Sequence, residues 1–230
     1  MHFFKYSYNT PIENLAVDEY LLAQVNSGQF QAGICRVWES PIHFVVLGLS
    51  KKITDDVNND ACRKDGVPIL KRCSGGGTVL QGPGCFNYSF ILPISYASEL
   101  ESLTMTTRYI LNIVKNTLSS SIKNIELKGI SDLTINDIKF SGNAQRRLKN
   151  AILFHGTILY DFNLKLITQY LKEPPVQPDY RKQRLHASFI QNLNVNQQTL
   201  FDLFHRLSTK DTILNSMTIP KDYLLKYSHL

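Results

Sequence analysis

The sequence predicts an α+β fold, because its strands come in antiparallel runs separated by few helices. Three observations carry this expectation. Leu133 to Ile135, Ile138 to Arg147 and Ala151 to Tyr160 form a β-meander with turns at Asn136-Asp137 and Lys149-Asn150. Further upstream, Gly75-Gly76-Gly77 and Gly82-Pro83-Gly84 cut a strand-rich stretch into short pieces. The longest helical pattern, Ser98 to Leu118, stands between these two regions, with Leu103, Ile110, Ile113, Val114 and Leu118 on one side.

In chain order, Glu13 to Ser27 reads as a helix, with Pro11 before it and Gly28 after it. Ile34 to Glu39 and His43 to Leu47 read as strands joined by a Ser40-Pro41 turn. Val57 to Lys64 is expected to be a helix stopped by Gly66, and Val67 to Arg72 a strand. Thr78 to Leu80 and Phe86 to Leu92 are the next two strands. After the meander, the Pro-rich stretch Glu173 to Pro178 reads as an ordered connector across the surface, and Gln197 to Leu207 as a short helix.

Composition narrows the function classes. The chain has 230 residues, 25 Lys+Arg against 19 Asp+Glu, and a formal charge of +6; 43% of residues are hydrophobic and 19% charged, which excludes a disordered or collagen-like chain. The longest apolar run, Phe44 to Leu49, is far short of the ~20 residues a membrane helix needs, and no signal-peptide core follows Met1, so a soluble cytoplasmic protein is expected. Cys35, Cys62, Cys73 and Cys85 form no CxxC, and the histidines form no HExxH. The thiols are expected to be reduced. The densest basic cluster, Arg146-Arg147-Leu148-Lys149, lacks the aromatic interleaving of a single-strand-binding surface, so an acidic protein or a small anion is a better partner than nucleic acid.

Three segments carry candidate chemistry. In Arg72-Cys73-Ser74-Gly75-Gly76-Gly77-Thr78 the glycines let backbone N–H groups approach an anion, and Arg72 adds a planar fork suited to carboxylate or phosphate. No Lys-Ser/Thr follows, so this is no Walker loop, and a loose hairpin turn is the alternative. On Ile138 to Arg147, alternation puts Lys139, Ser141, Asn143, Gln145 and Arg147 on one face, where Lys139 can reach a phosphate or a carbonyl. A solvent-facing strand would read the same way. Asp132, just upstream, suits a Mg²⁺ carried on phosphates, or simply caps its own turn.

Together with Asn14 to Glu19, Asn87-Tyr88-Ser89-Phe90 and His155-Gly156-Thr157-Ile158-Leu159, these segments resemble the lipoate–protein ligase and octanoyltransferase family, from about Asn14 to Leu193. The resemblance implies a mixed, largely antiparallel sheet flanked by helices, like the catalytic domain of biotin ligases and class II synthetases. It implies activation of lipoate or octanoate by ATP to an acyl-adenylate, then transfer to a lysine of a lipoyl domain, in a 2-oxoacid dehydrogenase or the glycine cleavage H protein. On that reading Lys139 is catalytic, and Asp132 sits near the adenylate or Mg²⁺. Substrate and ATP binding fall to Arg72, Ser74, Gly75, Gly76, Gly77 and Thr78, to Asn87, to Ser141, Gly142 and Asn143, and to His155, Gly156 and Thr157. Residues 1–230 are expected to form one catalytic domain without a large C-terminal accessory domain, working alone or with a separate accessory polypeptide.

The chain departs from that pattern in places. Gln81 stands where such ligases commonly carry His, and Gln81-Gly82-Pro83-Gly84-Cys85 is similar to the octanoyltransferase branch. That branch transfers the acyl group through a Cys thioester without ATP, and Cys73 or Cys85 would have to serve as nucleophile; buried structural thiols are the alternative. A non-catalytic lipoate- or lipoyl-domain-binding protein is a further reading. The basic stretch Arg181, Lys182 and Arg184 is expected to face an acidic acceptor domain, or solvent.

Overall fold

The computed structural model describes residues 1–208, 210–214 and 217–227. Among the described residues, eleven strands and eight α-helices follow in the order β1 (His2–Lys5), α1 (Pro11–Asn26), β2 (Ile34–Trp38), β3 (Phe44–Leu47), α2 (Ile53–Asp56), α3 (Asn59–Asp65), β4 (Ile69–Lys71), β5 (Val79–Gln81), β6 (Cys85–Pro93), α4 (Leu103–Ser119), β7 (Glu126–Lys128), β8 (Asp132–Ile135), β9 (Ile138–Arg147), β10 (Ala151–Leu159), α5 (Lys165–Tyr170), α6 (His186–Phe189), α7 (Gln197–His205), β11 (Lys210–Leu214) and α8 (Lys221–Leu225). An eight-stranded sheet runs β11-β1-β2-β6-β10-β9-β8-β7, and a three-stranded sheet runs β4-β3-β5. In the large sheet β1 is parallel to both its neighbours, and every other pairing is antiparallel. The α+β expectation therefore holds, with a mixed sheet between helices.

Alternation along the central strands splits the core into two layers. Cys35 and Val37 of β2, with Phe154 and Ile158 of β10, pack under α4 and α7. Ile34 and Trp38, with Ala151 and Leu153, pack under α1 and the small sheet. Thr10 caps α1 by accepting from the Glu13 N–H at 3.2 Å, while Glu13 Oε2 accepts from the Thr10 N–H, and Pro11 opens the first turn. Buried Arg36 of β2 locks α1 down: its Nη1 donates to Asp18 Oδ1 at 2.7 Å and its Nη2 to Asn14 Oδ1 at 2.9 Å.

Three expectations change. The Ser40-Pro41 turn is present, but β2 and β3 lie in different sheets, so it is where the chain leaves one layer for the other. The pattern from Ser98 opens as a 3₁₀ turn at Ser98–Glu101, and the α-helix starts afresh at the Ser102 cap. The meander gains an edge strand, β7. Its Asn136-Asp137 turn has φ of 54° and 60°, the left-handed pair of a tight hairpin.

Candidate active site

The position of Lys139 depends on one extra residue. Asp132 pairs with Gly142 and Leu133 with Ser141, and then Thr134 pairs with Lys139, so Phe140 is the additional residue of a β-bulge. Strict alternation would group Lys139 with Ser141, Asn143, Gln145 and Arg147; the bulge separates them. The Tyr88 hydroxyl donates to Asn143 Oδ1, Gln145 donates to Thr107, and Arg147 to Thr106, all toward α4. Lys139 instead shares the opposite face with Gly142 and Ala144. A Cβ on Gly142 would stand 2.9 Å from the Lys139 Cε and Nζ, so this glycine clears the ammonium's path.

Lys139 Nζ lies 2.7 Å from Asp132 Oδ1, and the Tyr180 hydroxyl donates to Asp132 Oδ2 at 2.6 Å. Burial, then the Asp132 charge, pushes the Tyr180 hydroxyl far above its ordinary range, so it remains a donor. Tyr180 belongs to the segment that follows the Pro-rich stretch. That segment is held by Arg181, which ion-pairs with Glu173 and lies 4.5 Å from the Phe189 ring centre. The expectation of an outward basic surface is corrected here: Arg181 is only 4% exposed, and Arg184 is half-buried, donating to the Asp137 and Tyr180 carbonyls. Lys182 alone of the three is exposed.

The triglycine loop faces this pair across the sheet. The Arg72 guanidinium turns inward, with Nε donating to Ser74 Oγ at 2.9 Å and Nη2 to the Gly75 and Gly77 carbonyls at 2.5 and 2.8 Å. Its fork thus shapes the loop and leaves little of itself for a ligand. Burial draws Arg72 down to about 10, so it is charged at neutral pH. Gly76, at φ 86°, makes the turn, and Ala144 Cβ lies 3.4 Å from where its own Cβ would be. Behind the loop, Ser74 Oγ lies 2.6 Å from His155 Nε2, and His155 Nδ1 is 3.9 Å from Asp18 Oδ2. Burial first, then the Arg72 charge, pulls the His155 imidazole down to about 4, so it is neutral at pH 7.

These groups enclose a cavity of about 590 Å³. Among the sequence-predicted residues, Arg72, Gly76, Gly77, Thr78, Asn87, Asp132, Lys139, Gly142, Asn143, His155, Gly156 and Thr157 line it. Ser74 is buried outside its lining, Gly75 is half-buried outside it, and Ser141 lines an adjoining lobe of about 250 Å³ that shares Gly77, Thr78, Asp132 and Lys139. Sequence reading did not single out Leu15, Asp18, Trp38 or Tyr180 for roles, since each reads as core or turn. Trp38 Nε1, Gln81 Oε1 and Asn87 Oδ1, all of residues lining the cavity, are buried without a hydrogen-bond partner among the described residues. Such orphans suit a polar ligand. Among the described residues no three His, Cys, Asp or Glu side chains cluster to hold a metal.

The cysteines are poorly disposed as nucleophiles. Burial pushes Cys73 up to about 12 and Cys85 higher still, so both are thiols at neutral pH. The Gly82-Pro83-Gly84 turn is a packing corner: a Cβ on Gly84 would lie 2.2 Å from the Asp161 carbonyl oxygen.

The family model of the lipoyl protein ligase A/B catalytic domain matches residues 10–209. The chain belongs to this family. Among sequences, it is 32% identical over 163 residues to "Probable lipoate-protein ligase A" of Mycoplasma pneumoniae, covering 71% of this chain and 46% of that one. The chain spans about half the length of the first curated relatives it matches, 45–46% of each. Among structures, a bi-partite lipoate protein ligase with its E2 lipoyl domain from Thermoplasma acidophilum superposes with a TM-score of 0.78 at 20% identity, covering 98% of this chain and 91% of that one. A lipoate-protein ligase A bound with ATP gives 0.75 at 19% identity, with 98% and 94% covered. The fold is thus that of the lipoyl protein ligase catalytic domain. No helix among the described residues is long and apolar enough to cross a membrane.

Proposed function

We propose that this chain is the catalytic part of a lipoate–protein ligase that activates lipoate or octanoate with ATP and passes the acyl group to a lysine of a lipoyl domain, in the cytoplasm. The observation that carries the reading is the Lys139–Asp132 pair standing in one cavity with the triglycine loop. In the first half-reaction the acid's carboxylate oxygen attacks the α-phosphorus of ATP and pyrophosphate leaves. In the second, the acceptor amine attacks the acyl carbon and AMP leaves. Negative charge builds on phosphate and then carbonyl oxygens, and Lys139 supplies a fixed ammonium for both, released from Asp132 as the more strongly charged ligand arrives. Arg72 holds the glycine carbonyls so that the loop keeps its turn. Leu15, Trp38 and Val79 offer the apolar wall an eight-carbon chain needs. Asp132 would be the protein carboxylate for a Mg²⁺ arriving with the phosphates, and the ion would shield phosphate charge. The family names and the ATP-bound neighbour support this reading. It takes residues 1–230 as one catalytic domain, joined where needed by a separate accessory polypeptide. The high Cys73 and Cys85 thiol values favour it over a thioester-forming transferase.

The test incubates the protein with lipoate, octanoate or octanoyl-carrier protein, each with and without ATP·Mg²⁺, and reads the mass of an apo lipoyl domain. A shift requiring free acid and ATP is expected. Transfer from the carrier without ATP, or no shift under any condition, overturns the reading.

A further inference from the structure

The cavity's rim carries an apolar pair that the chemistry inside does not need. Ile130 is 90% exposed and Val176 83% exposed, the highest among the large hydrophobic side chains of the described residues. Ile130 sits in the turn between β7 and β8, and Val176 in the Pro-rich stretch. The two loops pack together, since a Cβ on Gly129 would stand 3.4 Å from Pro178 Cβ and 3.2 Å from the Tyr180 ring. Asp179, on the same rim, is exposed and has no ion-pair partner among the described residues. Single exposed hydrophobics need no explanation, but two of this exposure on touching loops at a site's mouth mark a contact surface.

We infer that Ile130 and Val176 form the seat on which the acceptor polypeptide lands, with Asp179 meeting the ammonium of the incoming lysine. This rests on the ligase reading above and adds where the acceptor docks. A lysine side chain reaches only about 6 Å beyond its Cα, the sum of a few bond lengths like those of the backbone. To deliver its amine to a carbonyl held near Lys139, the acceptor must press its own backbone against the rim. The occupant that fits is therefore a folded domain presenting lysine at a protruding tip, with apolar side chains flanking it. The charge order is complementary: a cation arrives past Asp179, and apolar shoulders meet Ile130 and Val176. Of the basic stretch expected to do this, Arg181 lies inside the fold, Arg184 is half-buried and only Lys182 is exposed.

The test separates activation from docking. Ile130→Ser, Val176→Ser and the double variant are compared with wild type in two assays: trapping of the activated acyl group by hydroxylamine, and transfer to an apo lipoyl domain. Leu103→Ser, a 59% exposed position on α4, serves as control. Trapping is expected within twofold of wild type for all four variants. Transfer kcat/KM is expected to fall at least tenfold in the double variant, mainly through KM, and to be unchanged in Leu103→Ser. Unchanged transfer in the double variant overturns the inference, and so does an equal fall in both assays. A wild-type dimer that becomes monomeric in the double variant also overturns it, by making a second copy the occupant. If wild type traps no acyl group at all, the ligase reading itself has failed, which is a separate result.

Discussion

Ser74 Oγ lies 2.6 Å from His155 Nε2 and accepts at the same time from Arg72 Nε. Ser74 is fully buried, so its own hydroxyl proton must go to the one acceptor it has among the described residues, the imidazole. His155 is therefore the neutral tautomer protonated at Nδ1, turned toward Asp18. A single hydroxyl thus fixes both the guanidinium that shapes the glycine loop and the imidazole in the cavity wall. Nitrogen-15 spectra of imidazole-labelled protein at pH 7 are expected to show the Nδ1–H form. Ser74→Ala leaves two buried partners unsatisfied and is expected to cost about 2 kcal/mol in urea unfolding; no loss would refute the chain of bonds.

Acid stability follows from the same histidine. Unfolded imidazole binds its proton near 6.5, whereas folded His155 does so only near 4. Between those values the unfolded chain holds more protons, so stability is complete above pH 6.5 and is lost as pH falls toward 4. At about 1.4 kcal/mol per pH unit the loss is of order 3 kcal/mol at most. His43 and His186, also lowered by burial, act in the same direction. His155→Gln is expected to flatten the slope of unfolding free energy against pH in this window, and an unchanged slope counts against the assignment.

Replacing Lys139 removes the ammonium but not the fold, because its side chain lies at the cavity and is 28% exposed. Lys139→Met is expected to lower acyl-hydroxamate formation roughly 10²–10³-fold, the range for losing one fixed donor at a site of developing charge. The far-ultraviolet circular dichroism should match wild type. Wild-type hydroxamate formation would remove Lys139 from the chemistry.

The three glycines differ in what they require. Gly76 has φ +86° and an Arg72 nitrogen 2.9 Å from where a Cβ would go, whereas Gly75 and Gly77 have open space. Gly76→Ala is expected to destabilise by about 1–2 kcal/mol and to displace Arg72. Gly75→Ala and Gly77→Ala should leave the melting temperature within a degree or two. Equal tolerance at all three positions would contradict the loop geometry.

Gly156 is a tighter case, on the other face of β10. A Cβ there would lie 1.8 Å from Asn143 Oδ1 and 2.7 Å from the Tyr88 ring. Gly156→Ala is expected to break the Tyr88–Asn143 hydrogen bond and cost about 2 kcal/mol or more in thermal unfolding. Asn143→Ala should recover part of that loss in the double variant.

Local signals carried much of the fold. The Thr10-Pro11 start of α1, the stop of α3 at left-handed Gly66 and the turns of the meander are set by residues near in sequence. The strands β1, β7 and β11 were not legible, being three to five residues long and placed at or near the margins of the sheet, where pairing rather than alternation defines them. In the site, the triglycine loop, Asp132 and Lys139 could be named from residue type and spacing. The direction of Arg72 could not, because its acceptors are carbonyls that exist only once the loop has closed. Tyr180 was hidden for a similar reason: its link to Asp132 spans 48 residues.

The bulge at Phe140 carries a consequence for comparing or redesigning such chains. Straighten that bulge with Phe140 still in the strand and every reactive group survives, yet the ammonium would swing toward α4 and the strand would offer the cavity no cation. Its address is a matter of counting, so an alignment that slides β9 by a single column would hand its role to a neighbour that points the wrong way.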